Sequence, residues 1–151
     1  MSFVITGALL LWALLIAVAD WRWRKVPNSL LLALLLPALA VLLLKGQGLQ
    51  AAGWGSSLLG AAMALVLTLP GYAVSRLGAG DVKLAAVMGL VQGWPLAAWS
   101  LLATALLLGS MALLMVLHFG FANARSVRMP AAIAFVGGFI ATLLLRSRGL
   151  L

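Results

Sequence analysis

The chain is 151 residues long, with 66% hydrophobic residues, 8% charged residues and a mean hydropathy of +1.22. Soluble domains carry roughly 25% charged residues to cover their cores with polar surface, so this composition excludes a soluble fold. Ten Lys and Arg stand against two acidic residues, for a net charge of +8, and the absence of cysteine removes disulfides, thiolate metal sites and cysteine nucleophiles.

The apolar residues fall in blocks suited to crossing lipid, and the expected fold class is all-α: a polytopic membrane protein with about six transmembrane helices. A β-barrel would show short stretches of alternating polarity, and none appears. The first block runs from Phe3 to Ala19 and the second from Leu30 to Leu44. Trp12 lies mid-span and reads as a packing residue. The third block is Trp54 to Val74, and its small residues in "GSSLLGAAMA" predict a helix-packing face. A fourth apolar piece, Val82 to Gly93, is too short to cross alone; a helix beginning within Leu77 to Asp81 supplies the missing turn. The fifth block covers Pro95 to Phe119 and the sixth Pro130 to Leu145. Pro37 and Pro70 fall inside or at the end of spans and read as kinks held by neighbouring helices. No linker or repeat divides the chain, so residues 1–151 read as a single integral membrane domain. The first block lacks a basic n-region and a small-residue cleavage site, so it reads as a span rather than a signal peptide.

Charge sets the expected orientation. The first, third and fifth loops hold Arg22, Arg24, Lys25, Arg76, Lys83, Arg125 and Arg128, whereas the other side has Lys45, Arg146 and Arg148. Basic residues collect in cytoplasmic loops, which places these three loops inside and both termini outside. Their dispersal over short loops fits a bilayer as partner and argues against nucleic acid.

This topology brings the two acidic residues to the same side. Asp20 closes the first span and Asp81 opens the fourth. Two neighbouring carboxylates cannot both ionise cheaply, so they share a proton and titrate as a pair. Such a pair can act as general acid and general base with no metal and no cofactor. Gly78 and Gly80 precede Asp81 in "GAGD" and are expected to permit positive φ and close backbone approach. The plainer alternative is two interfacial ion pairs, Asp20 with Arg22 and Asp81 with Lys83 or Arg76. That these are the only two acids, on one side, with one inside a glycine motif, favours the pair. Lys83 serves either to orient Asp81 or as a snorkelling anchor. Pro27 and Asn28 are expected to cap and start the second span, fixing the turn that presents Asp20. His118 is the sole histidine and has no second ligand type nearby, so no metal site is expected.

Two segments, "ADWRWRKVPNSL" from Ala19 to Leu30 and "GAGDVKL" from Gly78 to Leu84, resemble the signature segments of type IV prepilin peptidases. In that family the first aspartate precedes basic residues and a hydrophobic-Pro-Asn triplet, matched here by Val26, Pro27 and Asn28. The second closes a Gly-x-Gly-Asp motif followed by a lysine, matched by Lys83. A weaker match, "VRMPAAIAFVGG" from Val127 to Gly138, is similar to the family's last span. The resemblance implies an aspartic endopeptidase of the bacterial inner membrane, its site facing the cytoplasm. Its substrate would be a prepilin, cut after a short basic leader, typically behind a glycine and just ahead of an apolar segment. Longer members carry a cytoplasmic insertion with paired Cys-x-x-Cys motifs and also N-methylate their product. This chain has no cysteine and resembles the short peptidases of Flp-type pilus systems, so methylation is not expected.

Two other function classes stay open on the residues alone. One is a small transporter or proton relay, which would leave the rest of the membrane without ionisable groups. The other is a non-catalytic pilus-assembly subunit, in which Asp→Asn changes would be silent.

Overall fold

A computed structural model describes residues 3–23, 25–75, 77–124 and 131–150. They form six α-helices: α1 (Phe3–Trp23), α2 (Asn28–Lys45), α3 (Trp54–Ala73), α4 (Ala79–Gln92), α5 (Leu96–Ala124) and α6 (Ala131–Ser147). No strand occurs among the described residues, and the expected all-helical membrane fold is observed. Arg24, Arg76, Arg125, Arg128 and most of the stretch before α6, including Pro130, lie outside the described residues.

α1, α2, α3 and α5 are long and apolar enough to cross a bilayer. At 1.5 Å rise per residue, α6 is about 25 Å long and α4 about 21 Å, short of a hydrocarbon core of about 30 Å. The arrangement explains how α4 can be short. It packs against α2, α3, α5 and α6, and Val82, Leu84, Ala85 and Val87 to Gln92 are all buried. A helix walled by protein has no lipid thickness to match.

α1 shows how an all-apolar helix still has two faces. Leu9, Trp12, Ala13, Ile16 and Ala19 are buried at helical spacing, while Leu11, Leu14, Leu15 and Val18 are exposed. The helix continues four residues past the predicted end, through Trp23, and Asp20 falls on the buried stripe. Trp21 and Trp23 are exposed. α1 packs on α6 and α2.

Trp12 does more than pack. Its ring meets Phe139 of α6 edge-on, with centroids 6.1 Å apart, and its Nε1–H donates to the Leu30 carbonyl at 2.7 Å. This ties α1 to the first turn of α2. Trp12→Phe keeps an aromatic ring and loses the bond, so stability in detergent should fall by about 1 kcal/mol. An unchanged unfolding midpoint would show that the bond contributes nothing net.

The tightest helix pair is α3 with α4. A Cβ added at Gly60 would strike the Gly89 carbonyl oxygen, and one at Gly89 would strike that of Gly60. The small residues of α3 therefore form a packing face, as expected, and their partner is a glycine of α4. Pro37 and Pro70 lie inside α2 and α3. α2 stops where Gly46 takes the left-handed conformation (φ 68°) and its N–H bonds the Leu42 carbonyl at 3.0 Å.

Candidate active site

Asp20 sits in the last turn of α1, 6% exposed, with its carboxyl turned into the bundle by the helical register. The chain then turns, and α2 starts at Asn28 with Pro27 as its N-cap. The Pro27 carbonyl accepts from the N–H groups of Leu30 and Leu31 at 3.2 and 3.3 Å. Pro27 and Asn28 thus occupy the capping and starting positions expected of them.

Asp81 lies in the first turn of α4. Gly78 is the N-cap, and Asp81, three residues on, accepts the Gly78 N–H through Oδ2 at 3.0 Å. This is the acidic half of a capping box; the other half is missing because glycine has no side chain. Oδ1 accepts no hydrogen bond from the described residues. The loop ahead of Gly78 is tied down by the Leu77 N–H, which bonds the Gly71 carbonyl at 3.0 Å, and by the Leu77 side chain packed on Gly71.

The two segments meet at Gly80. A Cβ added there would lie 3.2 Å from Val26 Cβ and 3.7 Å from Val26 N. The strand of chain leaving Asp20 is therefore laid on the first turn of α4. The contact brings the end of α1, which carries Asp20, and the start of α4, which carries Asp81, to one end of the bundle, and no ion pair joins Asp81 to Lys83 among the described residues.

The glycines achieve this differently from the expectation. Gly78 has φ −78° and Gly80 is helical, and neither is among the positive-φ residues. Their value is the missing side chain: a Cβ on Gly80 would crowd Val26, and one on Gly78 would approach Asp81 Oδ2 to 3.2 Å. A helix N-terminus needs extended backbone at its N-cap rather than left-handed backbone, which is why the positive-φ expectation fails here.

Lys83 is exposed and makes no hydrogen bond or ion pair among the described residues, Asp81 included. It lies instead at the mouth of a groove of about 500 Å³ between α2 and α3, floored by α4. Asn28 and Lys83 are its polar residues, and Leu31, Leu32, Leu35, Ala61, Leu65, Ala86, Val87 and Leu90 make up the rest. The i, i+3, i+4, i+7 spacing of Asn28, Leu31, Leu32 and Leu35, repeated by Lys83, Ala86, Val87 and Leu90, is the sequence signal that could have found it. His118 is exposed, and no group of three metal-ligating side chains occurs among the described residues.

A buried aspartate, a second aspartate held at a helix start, and a glycine contact that closes one segment on the other form one constellation. A model of the type IV leader peptidase family matches residues 7–113, which take in both aspartates and the glycine motif. The chain belongs to the type IV leader peptidase family. No curated protein and no solved structure matches it. The family match ends inside α5, so the resemblance read over Val127 to Gly138 falls beyond it. The chain is a multi-pass membrane protein of a protease family whose substrates are prepilins in general.

Proposed function

We propose that this leader peptidase is an aspartic endopeptidase that removes the short basic leader of Flp-type prepilins at the cytoplasmic face of the inner membrane, without N-methylating the product. The observation that carries the proposal is the Gly80–Val26 contact, which lays the chain that follows Asp20 on the first turn of α4, where Asp81 lies. In the proposed mechanism one aspartate is ionised and takes a proton from water as that water attacks the scissile carbonyl. The other, protonated, donates to the carbonyl oxygen. The tetrahedral diol collapses as the C–N bond breaks: one hydroxyl gives its proton to the ionised aspartate, and the protonated aspartate gives its own to the leaving nitrogen. The pair ends with one proton between its members, as it began. Orientation is supported by the seven basic residues on the aspartate side against three on the other. The absence of cysteine supports the short, non-methylating branch.

The groove completes the reading. A precursor cut just ahead of an apolar segment presents that segment to lipid on one side of the scissile bond. The groove starts two residues from Asp81 and descends between α2 and α3 along apolar side chains, which suits an apolar helix. Ala86→Phe would fill it. The expected result is a KM raised about 10-fold, near 1.4 kcal/mol, with kcat within about 2-fold, the signature of lost ground-state binding. Unchanged KM would remove the groove from the substrate path.

The test of the proposed function is co-expression with precursors of short pilin-like proteins, followed by intact mass of the recovered pilin. The expected product lacks the leader and carries no added methyl group. Intact leaders on every precursor tried, with the peptidase inserted and folded, would sink the assignment.

A further inference from the structure

A second polar cluster lies at the other end of α4, about 16 Å from Asp81 by helical rise, and the proposed chemistry leaves it unused. Gln92, the last residue of α4, is 2% exposed, and its Nε2–H donates to Thr142 Oγ1 at 2.6 Å. Thr142 spends its own proton on the Phe139 carbonyl at 2.9 Å, so it can only accept from Gln92. Gln50, in the α2–α3 connection, is 1% exposed. Its Oε1 accepts from Arg146 Nη1 at 3.1 Å, and its backbone carbonyl accepts from Nη2 at 2.8 Å.

These bonds determine which end of each carboxamide is left over. Gln50 Nε2, a donor, and Gln92 Oε1, an acceptor, are buried and have no partner among the described residues. Both residues line a pocket of about 360 Å³, together with Arg146, Ser56 and Trp94. Arg146 forms no ion pair among the described residues. The chain has only two acidic side chains, and both stand at the opposite end of the bundle. The residues that carry a guanidinium without an ion pair among the described residues, a spare donor and a spare acceptor thus line one pocket. An anion answers the first two, and a donor attached to that anion answers the third. Trp54 and Trp94, both exposed, mark this end as the level of a membrane interface, where lipid headgroups lie.

We propose that this pocket binds the headgroup of a glycerophospholipid. The phosphate sits on Arg146 and Gln50 Nε2, and a headgroup hydroxyl or ammonium donates to Gln92 Oε1. Both carboxamide ends are buried in residues that line the pocket, so binding requires the two side chains to turn toward the ligand. The site would link the α2–α3 connection and the ends of α4 and α6 through one lipid. The proposal does not depend on the peptidase chemistry.

The test uses the full chain purified in detergent and titrated with dioleoyl phosphatidylglycerol and dioleoyl phosphatidylethanolamine, with native mass spectrometry as readout. Wild type is expected to retain at least one of these lipids, and Arg146→Gln to bind it at least 10-fold more weakly. Gln92→Glu gives a second arm that keeps the Arg146–Gln50 bonds. Its carboxylate places a negative charge in the pocket lining, which repels the phosphate, so it too should lose the lipid. A parallel arm adds sodium phosphate or glycerol 3-phosphate and follows the unfolding midpoint. Equal stabilisation by these would overturn the lipid assignment in favour of a site for small phosphates. Failure of wild type to hold either lipid, or equal retention by wild type and both variants, would overturn the proposal.

Discussion

Asparagine at either Asp20 or Asp81 is expected to slow leader cleavage by at least about 10²-fold while leaving the protein folded and inserted. Asparagine has nearly the volume of aspartate but cannot hold or transfer the catalytic proton. At position 81 its side-chain oxygen can still accept the Gly78 N–H now bonded by Oδ2 at 3.0 Å, so the start of α4 survives. At position 20 it fits the buried stripe of α1 at the same size and without the charge. Loss of activity with an unchanged unfolding midpoint would therefore report chemistry rather than folding. Either variant cleaving within a few-fold of wild type would remove that residue from the reaction. The assay is turnover of a purified prepilin by purified enzyme in detergent, read by the mass of the product.

Gly89→Leu is expected to have the largest effect on stability. The backbones of α3 and α4 touch at Gly60 and Gly89, and each added Cβ would meet the carbonyl oxygen of the other helix. Backbone cannot swing aside as a flexible side chain can, so a leucine must push α3 off α4 and open the core that α4 centres. Overpacking of this kind costs about 3 kcal/mol or more, enough to lose a large part of a small domain's stability. The expected outcome is aggregated protein in size-exclusion chromatography, or a lowered unfolding midpoint. Gly109→Ala in α5 is the control, because nothing lies within 4 Å of a Cβ there. It should be neutral or stabilising, since alanine favours helix over glycine by about 1 kcal/mol. A Gly89→Leu protein that melts like wild type would contradict the close α3–α4 contact.

Much of this architecture is legible in the sequence because hydrocarbon imposes a length on every element. Runs of apolar residues mark all six helices, and the start of α4 at Ala79 falls within the expected window of Leu77 to Asp81. The end of α1 is less legible. "DWRW" looks like an interfacial loop, yet helical register puts Asp20 inward and both tryptophans outward, so the helix continues. That the two aspartates lie on segments meeting at one end of the bundle could be anticipated from topology, since both lie at span ends on one side. How the segments close could not, because the Gly80–Val26 contact depends on which residue of an irregular turn is laid on α4. The glycine motif invited a positive-φ reading, and only the observed helix start shows that a missing Cβ is what matters. The cluster of Gln50, Gln92, Thr142 and Arg146 was unreadable for another reason. Its members are scattered between residues 50 and 146, and nothing local in the sequence links them.

The most direct test of the central claim, that Asp20 and Asp81 act as one unit, is the cleavage rate of the Asp20→Asn/Asp81→Asn double variant beside each single variant. Two groups that share one proton fail together, so the double variant should be no slower than the slower single variant. Losses that multiply, each aspartate contributing independently of the other, would contradict a shared dyad.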